Sequence, residues 1–381
     1  MDNIVYFDNA ATTFPKPECV YTVMDQFART CGVSIGRGQH LLSSKVAYMV
    51  DETREMLQEL FHASNKKVIF TNTATEALNI IIRGISIPKG ANVYISPFEH
   101  NAVTRTLHYL QKSNNFQIIQ LACNKTTYQI DIDGVETQFK ADKPFCVIVS
   151  YVSNVLGAIA PIERIFSLSK KYRAITIADM CQSAGLIDTN IASSDFDYVV
   201  FAGHKTLYGP LGISGFITTF PQELSPLIIG GTGFDSASQD MPNEIPVKYE
   251  AGSHNSTAIA GLNASLKWLL NIGIGNIYQS ELIHYKKLCD LLSSYDNIKL
   301  YLPQNGISVV SCNFDGYNSS EIGQVISKKI AIRHGLHCAP LAHKFINTYP
   351  SGTVRFSVGY FNTNHDFEVL EKMLDYIEEN S

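Results

Sequence analysis

Ile175-Thr176-Ile177-Ala178-Asp179-Met180-Cys181-Gln182 and, further along, Tyr198-Val199-Val200-Phe201-Ala202-Gly203-His204-Lys205 form the stretch that decides the fold. Each half is a short β-rich run that stops abruptly at polar residues. Strands apolar at successive positions are buried on both faces, as in a parallel sheet covered by helices. The same pattern recurs upstream in Lys67-Val68-Ile69-Phe70, Asn92-Val93-Tyr94-Ile95, Phe116-Gln117-Ile118-Ile119 and Phe145-Cys146-Val147-Ile148-Val149. Amphipathic patterns from Val46 to Phe61 and from Ile162 to Lys171 predict helices between such runs. The core is therefore α/β with a mostly parallel sheet.

After Ala251 the pattern changes. Long helices are predicted over Thr257 to Leu270 and Ile277 to Leu292, then a strand pair near Val309 to Phe314 and Thr353 to Val358, and a last helix from Asp366. This predicts a smaller α+β domain. The expected division is a large α/β domain over 17–275, with 1–16 and 276–381 forming the small one. The sequence shows no Pro/Ser linker, low-complexity block or repeat between them.

The composition is that of a globular chain: 381 residues, 45% hydrophobic, 17% charged. Thirty basic against thirty-five acidic side chains leave a net charge of -5, with no basic stripe of the kind nucleic-acid binding needs. No secretory signal or bilayer-spanning run is found, so a cytoplasmic protein without a membrane partner is expected. The eight cysteines are scattered, with no Cys-x-x-Cys pair and no zinc-like cluster. Reduced thiols are expected, and no metal site.

In an open parallel sheet, ligands sit beyond the carboxyl ends of the strands. After the Val68 run comes Thr71-Asn72-Thr73-Ala74-Thr75-Glu76-Ala77, opening a helix whose N–H groups and dipole suit a phosphate. The alternative is that Thr73 and Thr75 simply cap that helix. After the Asn92 run comes Glu99-His100, whose imidazole could stack on a flat ligand or be an ordinary histidine. Asp179, closing a buried strand, calls for a cationic or proton-bearing partner. Lys205, in a Gly-rich and Pro-bounded turn, suits an amine nucleophile, or else an exposed loop lysine. Taken as a set on one sheet rim, these groups match what pyridoxal phosphate requires.

The chain also resembles the class V branch of fold-type-I pyridoxal-phosphate enzymes, and within it the cysteine desulfurases and selenocysteine lyases. The resemblance is carried by Tyr6 to Thr13, Arg37-Gly38-Gln39-His40, Thr73 to Asn79, Glu99-His100, Ser153-Asn154-Val155-Leu156-Gly157, Asp179 to Gln182 and Gly203-His204-Lys205. It continues through Glu250 to Asn255, Gly335-Leu336-His337-Cys338-Ala339 and Arg355 to Thr363. It implies a mostly parallel seven-stranded sheet domain sandwiched by helices, plus the smaller α+β domain. Lys205 would carry the Schiff base, Asp179 would hold the pyridinium nitrogen and His100 would stack on the ring. Asn154 and Gln182 would lie near the ring hydroxyl. Thr75 and His204 would contact the phosphate, with Ser253 supplied by the second subunit of a homodimer, and Ala74 would also bind the cofactor.

Arg355 resembles the arginine that grips the substrate carboxylate, and Cys338 the sulfur-accepting nucleophile, with Arg333 and His40 around that loop. The implied reaction removes sulfur from L-cysteine, giving L-alanine and a persulfide on Cys338. The short loop around Cys338 resembles the branch that passes sulfur to a separate acceptor protein. Three departures stand out: Ala202 where relatives have a hydroxyl residue, Ser253 for a threonine, and Thr206 as an extra residue after Lys205. Selenocysteine lyase, another class V aminotransferase or lyase, and a catalytically silent scaffold are the alternatives.

Overall fold

A computed structural model describes residues 4–35, 40–220 and 223–380. A short N-terminal strand, β1 (Val5–Tyr6), precedes seven strands of one central sheet: β2 (Lys67–Thr71), β3 (Asn92–Ile95), β4 (Gln117–Gln120), β5 (Pro144–Ser150), β6 (Ile175–Asp179), β7 (Tyr198–Ala202) and β8 (Ser214–Thr218). Their order is β2-β8-β7-β6-β5-β3-β4. All neighbours run parallel except β8, which is antiparallel to both β2 and β7.

Alternation along β7 explains why these runs are apolar at every position. Val199 and Phe201 enter one buried cluster, with the helices Leu41–Leu60, Ile162–Lys171 and Ser256–Ile272. Tyr198, Val200 and Ala202 enter another, against the helices Ala74–Gly84 and Asn101–Gln111. Successive strand side chains point to opposite faces, so a sheet covered on both sides needs both sets apolar. The expected strands are all found. β8, the antiparallel one, was not singled out in the sequence, because its Ser-Gly opening lacks the β-branched signal. Gly215 is required there: a Cβ would lie 2.2 Å from the Ile69 carbonyl oxygen on β2.

The C-terminal part carries the helix Ile274–Ser293, then β9 (Ile298–Leu300), β10 (Val309–Phe314), β11 (Ile330–Ala331), β12 (Arg333–Gly335) and β13 (Thr353–Ser357), and ends in the helix Asn364–Glu379. β9, β10, β12 and β13 form an antiparallel sheet in the order β12-β13-β10-β9. β1 pairs in parallel with β11. Phe7 enters the core of this C-terminal unit, so the N-terminal strand folds with the end of the chain. Among the described residues no helix is long and apolar enough to cross a membrane.

Candidate active site

A cavity of about 290 Å3 opens beyond the carboxyl ends of the central strands. Its floor belongs to the large sheet: Thr73, Ala74 and Thr75 from the helix after β2, His100 after β3, Asn154 after β5, Asp179 and Gln182 after β6, His204 and Lys205 after β7. The C-terminal unit contributes Arg333, His337 and Arg355 to the other side.

Local structure explains how the sequence presents each group. Thr73 is the N-cap of the helix Ala74–Gly84, its hydroxyl accepting from the Glu76 N–H at 3.1 Å. The first N–H groups of that helix therefore border the cavity without intrahelical partners. His100 caps the helix Asn101–Gln111, with Nδ1 accepting from the Ala102 N–H at 3.0 Å. That bond requires Nδ1 to be unprotonated. Burial, reinforced by the Lys205 charge, also pulls the His100 pKa down to about 4, so a neutral ring faces the cavity at neutral pH.

Asn154 sits in a turn closed by the Ser153 hydroxyl, which accepts from the Val155 and Leu156 N–H groups. Gly157 ends that turn at φ +68°, where a Cβ would meet the Ile307 carbonyl at 2.4 Å. The Asp179 carboxylate accepts from the Cys181 N–H at 3.0 Å. Gln182 donates to the Ala10 carbonyl at 2.8 Å, tying the N-terminal segment to the rim.

His204 is held by its backbone. Its carbonyl accepts from Lys16 Nζ at 2.6 Å and the Thr12 hydroxyl at 2.9 Å. Its buried Nδ1 has no partner among the described residues. Burial, then the Lys205 and Lys16 charges, bring the His204 pKa down to about 3. Burial also lowers Lys16 itself to about 7.

Arg355 is 1% exposed, on the central strand β13. Nη2 donates to Asp8 at 2.6 Å and Nη1 to the Asn154 carbonyl at 2.9 Å. Its buried Nε has no acceptor among the described residues. A buried guanidinium with one edge committed and a donor left over is poised for an anionic ligand. Beside the cavity, Arg333 Nη2 lies 3.3 Å from Cys338 Sγ. Cys338 is partly exposed, and it and His337 are both left-handed, at φ +56° and +48°.

Thus Ala74, Thr75, His100, Asn154, Asp179, Gln182, His204, Lys205, Arg333 and Arg355 converge on one cavity, with Cys338 at its edge. Three expected residues do not line it: Cys338, which touches the lining Arg333, and Ser253 and His40, which lie apart. Ser253 is exposed, in a separate shallow cavity with Gly233, Phe234 and His254. His40 is exposed and caps the helix Leu41–Leu60 through Nδ1, which accepts from the Ser43 N–H at 3.2 Å. Arg37 to Gln39 lie outside the described residues. Of the departures, Ala202 lines the cavity, and the buried Thr206 hydroxyl has no partner among the described residues.

Several contributors had no role in the sequence reading. Asp8 belongs to the quoted Tyr6 to Thr13 motif, yet nothing local marks it as the partner of an arginine far along the chain. Cys181 lines the cavity as a buried thiol, its pKa raised by burial and then by Asp179. Glu99 is fully buried, accepting from the Ser96 hydroxyl at 2.6 Å and the Ser150 N–H at 2.5 Å. Burial pushes its pKa up to about 8, the two serine contacts opposing and the Asp179 charge reinforcing the shift.

The aminotransferase class-V family matches residues 5–370. A probable cysteine desulfurase of Haemophilus influenzae is 31% identical, over 99% of this chain and 87% of its own length. One of Methanothermobacter thermautotrophicus is 29% identical, over 98% of this chain and 94% of its own length. Among solved structures, the apo cysteine desulfurase of Thermococcus onnurineus superposes with a TM-score of 0.92 and 27% identity, over 99% of this chain and 95% of that one. The chain therefore belongs to the aminotransferase class-V family, with relatives named cysteine desulfurases that match it along almost its whole length.

Proposed function

We propose that the protein is a pyridoxal-phosphate-dependent cysteine desulfurase that converts L-cysteine to L-alanine and leaves the sulfur as a persulfide on Cys338. The observation that carries this reading is the meeting of Lys205, Asp179 and His100 in a cavity whose edge is formed by the Arg333–Cys338 pair, 3.3 Å apart.

The donor set fits the cofactor. The helix start at Ala74 and Thr75, with His204, suits its phosphate. The face of the neutral His100 ring suits its pyridine, Asp179 its ring nitrogen, and Asn154 and Gln182 its hydroxyl. Lys205 would supply an amine for its aldehyde. When bound, the cofactor supplies an electron sink that makes the substrate α-proton acidic.

The remaining chemistry belongs to the chain. Arg355, fixed by Asp8 and Asn154, binds the substrate carboxylate through its uncommitted donors. Lys205 would move the substrate α-proton through Nζ. Cys338 Sγ attacks the substrate sulfur as a thiolate. The new S–S bond forms as the carbon–sulfur bond breaks, and the electron pair stays with the three-carbon fragment, which is protonated and released as alanine. Arg333 Nη2, 3.3 Å from Cys338 Sγ, would hold that sulfur in place by a hydrogen bond.

A homodimer completes this reading. Exposed Phe234 lines the same cavity as Ser253, an apolar contact suited to a second copy that would deliver the Ser253 hydroxyl to the phosphate. A separate acceptor protein would then take the sulfur from the partly exposed Cys338.

The test is to incubate purified, cofactor-loaded protein with L-cysteine and a reductant, measuring alanine and sulfide. Equal yields, lost in Cys338→Ala with the visible cofactor band intact, support the reading. Alanine from L-selenocysteine with none from L-cysteine would reassign the substrate, and no product from either would reject it.

A further inference from the structure

The segment that presents Cys338 is held in an unfavourable backbone conformation. His337 and Cys338 are consecutive left-handed residues, at φ +48° and +56°, following Gly335 at φ +95°. Outside glycine, such a conformation is unfavourable and persists only where its surroundings over-determine it. Backbone anchors supply part of the answer. Asn154 Nδ2 donates to the His337 carbonyl at 2.8 Å, and the Asn101 N–H to the Cys338 carbonyl at 2.7 Å.

The rest comes from a buried side-chain chain that the reaction does not use. His337 Nε2 lies 3.3 Å from the Arg333 carbonyl oxygen, and His337 Nδ1 lies 3.2 Å from His343 Nε2. His343 Nδ1 lies 2.7 Å from the Thr348 hydroxyl. His337, His343 and Thr348 are 2%, 0% and 7% exposed, so water cannot substitute for a missing bond. Burial, aided by the Arg355 charge, drives the pKa of both histidines down, that of His343 to about 4, so each ring is neutral at neutral pH.

A neutral imidazole has one donor and one acceptor, and a carbonyl can only accept. The Arg333 carbonyl therefore dictates every proton in the chain. His337 must donate from Nε2 and accept at Nδ1. His343 must then donate from Nε2 and accept at Nδ1, and the Thr348 hydroxyl must donate. One arrangement satisfies all the atoms.

We propose that His343 and Thr348 are positioning residues for the nucleophile: through His337 they lock the Arg333-to-Cys338 segment so that the Arg333 guanidinium stays on the Cys338 sulfur. The inference rests on Cys338 being the sulfur acceptor, but its test does not require turnover. The rate at which iodoacetamide alkylates Cys338 in the cofactor-loaded enzyme without substrate, read by peptide mass spectrometry, reports the Arg333–Cys338 contact directly.

Thr348→Val and His343→Leu break the chain and should slow alkylation about tenfold, the loss expected for one charge-assisted hydrogen bond to a thiolate. The visible cofactor band should be unchanged, since neither residue lines the cavity. Thr348→Ser keeps the hydroxyl and His343→Gln keeps a donor where Nε2 stood, so both should recover to within about threefold. Wild-type alkylation in Thr348→Val, or an equal loss in Thr348→Ser, would overturn the proposal.

A measurement on the unmodified protein guards against misfolded variants. In 15N-histidine-labelled protein at pH 7, the shifts of His337 and His343 should both be those of the Nε2–H tautomer; an Nδ1–H tautomer at either would overturn the proposal. If L-cysteine yields no alanine yet the alkylation pattern holds, the functional reading fails and the positioning inference is supported.

Discussion

The rim of the central sheet and the Cys338 segment border the same cavity, but they hold their reactive groups by opposite means. On the rim, Asp179, His100 and Lys205 stand at the ends of regular strands, and ordinary devices such as the Thr73 and His100 caps set their direction. Around Cys338 the backbone is forced into the left-handed region at consecutive residues and kept there by side chains from elsewhere. The rim binds by means of a scaffold that would exist without the site. The Cys338 segment keeps its conformation only as long as its anchors do. On the proposed function, the rim would hold a prosthetic group, which needs fixed geometry, whereas Cys338 would reach the substrate and then offer its sulfur to another molecule. Partial exposure and a conformation that depends on local bonds serve the second task.

The largest expected effect tests whether the two regions are separable. Lys205→Ala should lower alanine formation from L-cysteine at least about a thousandfold, as removal of a covalent catalyst does. Alkylation of Cys338 should stay within about twofold of wild type, because independent sites behave additively. A parallel collapse in alkylation would mean that the two regions are one cooperative unit.

Arg355→Lys probes the junction between them. A lysine keeps charge against Asp8 but loses the fork that also reaches the Asn154 carbonyl and leaves Nε for the substrate. Loss of one charge-assisted hydrogen bond should raise KM for L-cysteine about tenfold. A change confined to kcat would place the arginine in a different role.

A smaller effect belongs to the rim alone. Glu99 has a folded pKa near 8 against an ordinary value of 4.5, so the folded chain keeps a proton that the unfolded chain releases between these values. The folded state binds the extra proton, and stability must fall as pH rises through that window. His100, depressed to about 4, acts in the opposite sense, adding stability as pH rises from about 4 to 6.5. Glu99→Gln should therefore lose less melting temperature between pH 5 and 8 than the wild type, as read by calorimetry. Identical slopes would show that Glu99 is ionised in the folded protein. The least effect is expected of Thr73→Ala, which removes a helix cap for about 1 kcal/mol in urea unfolding. It should weaken cofactor affinity with no change at Cys338.

The same contrast explains what the sequence could tell. The β6 and β7 runs were legible because burial on both faces demands apolar residues in succession, and the polar residues closing them were legible because ligands gather at strand ends. Asp179, Lys205 and His100 follow from those two facts. β8 was less so: its Gly215 answers a close approach by β2 that is visible only once the strands pair. The bonds around the nucleophile were hidden for a related reason. His343 and Thr348 read as a histidine and a threonine in a short helix and turn, and nothing in their spacing says that they complete a buried chain ending at Arg333. Glu99 gained significance through Ser150, on another strand. Buried polar networks are agreements between distant positions, so periodicity does not report them. Ser253 and His40 were nominated by resemblance alone, and both lie outside the cavity of the single chain.

The pairing of β1 with β11, together with the Asp8–Arg355 ion pair, bears on how the protein comes into being on the ribosome. Every strand of the central sheet has been synthesised by residue 218, so that sheet can form while the chain is still growing. The Arg355 guanidinium, proposed above to bind the substrate carboxylate, cannot be oriented until it emerges and meets a partner 347 residues behind it. Contacts of such separation form late, because the intervening chain must be ordered first. A nascent chain thus acquires the parts that would hold an aldehyde cofactor well before those that would let it act on an amino acid.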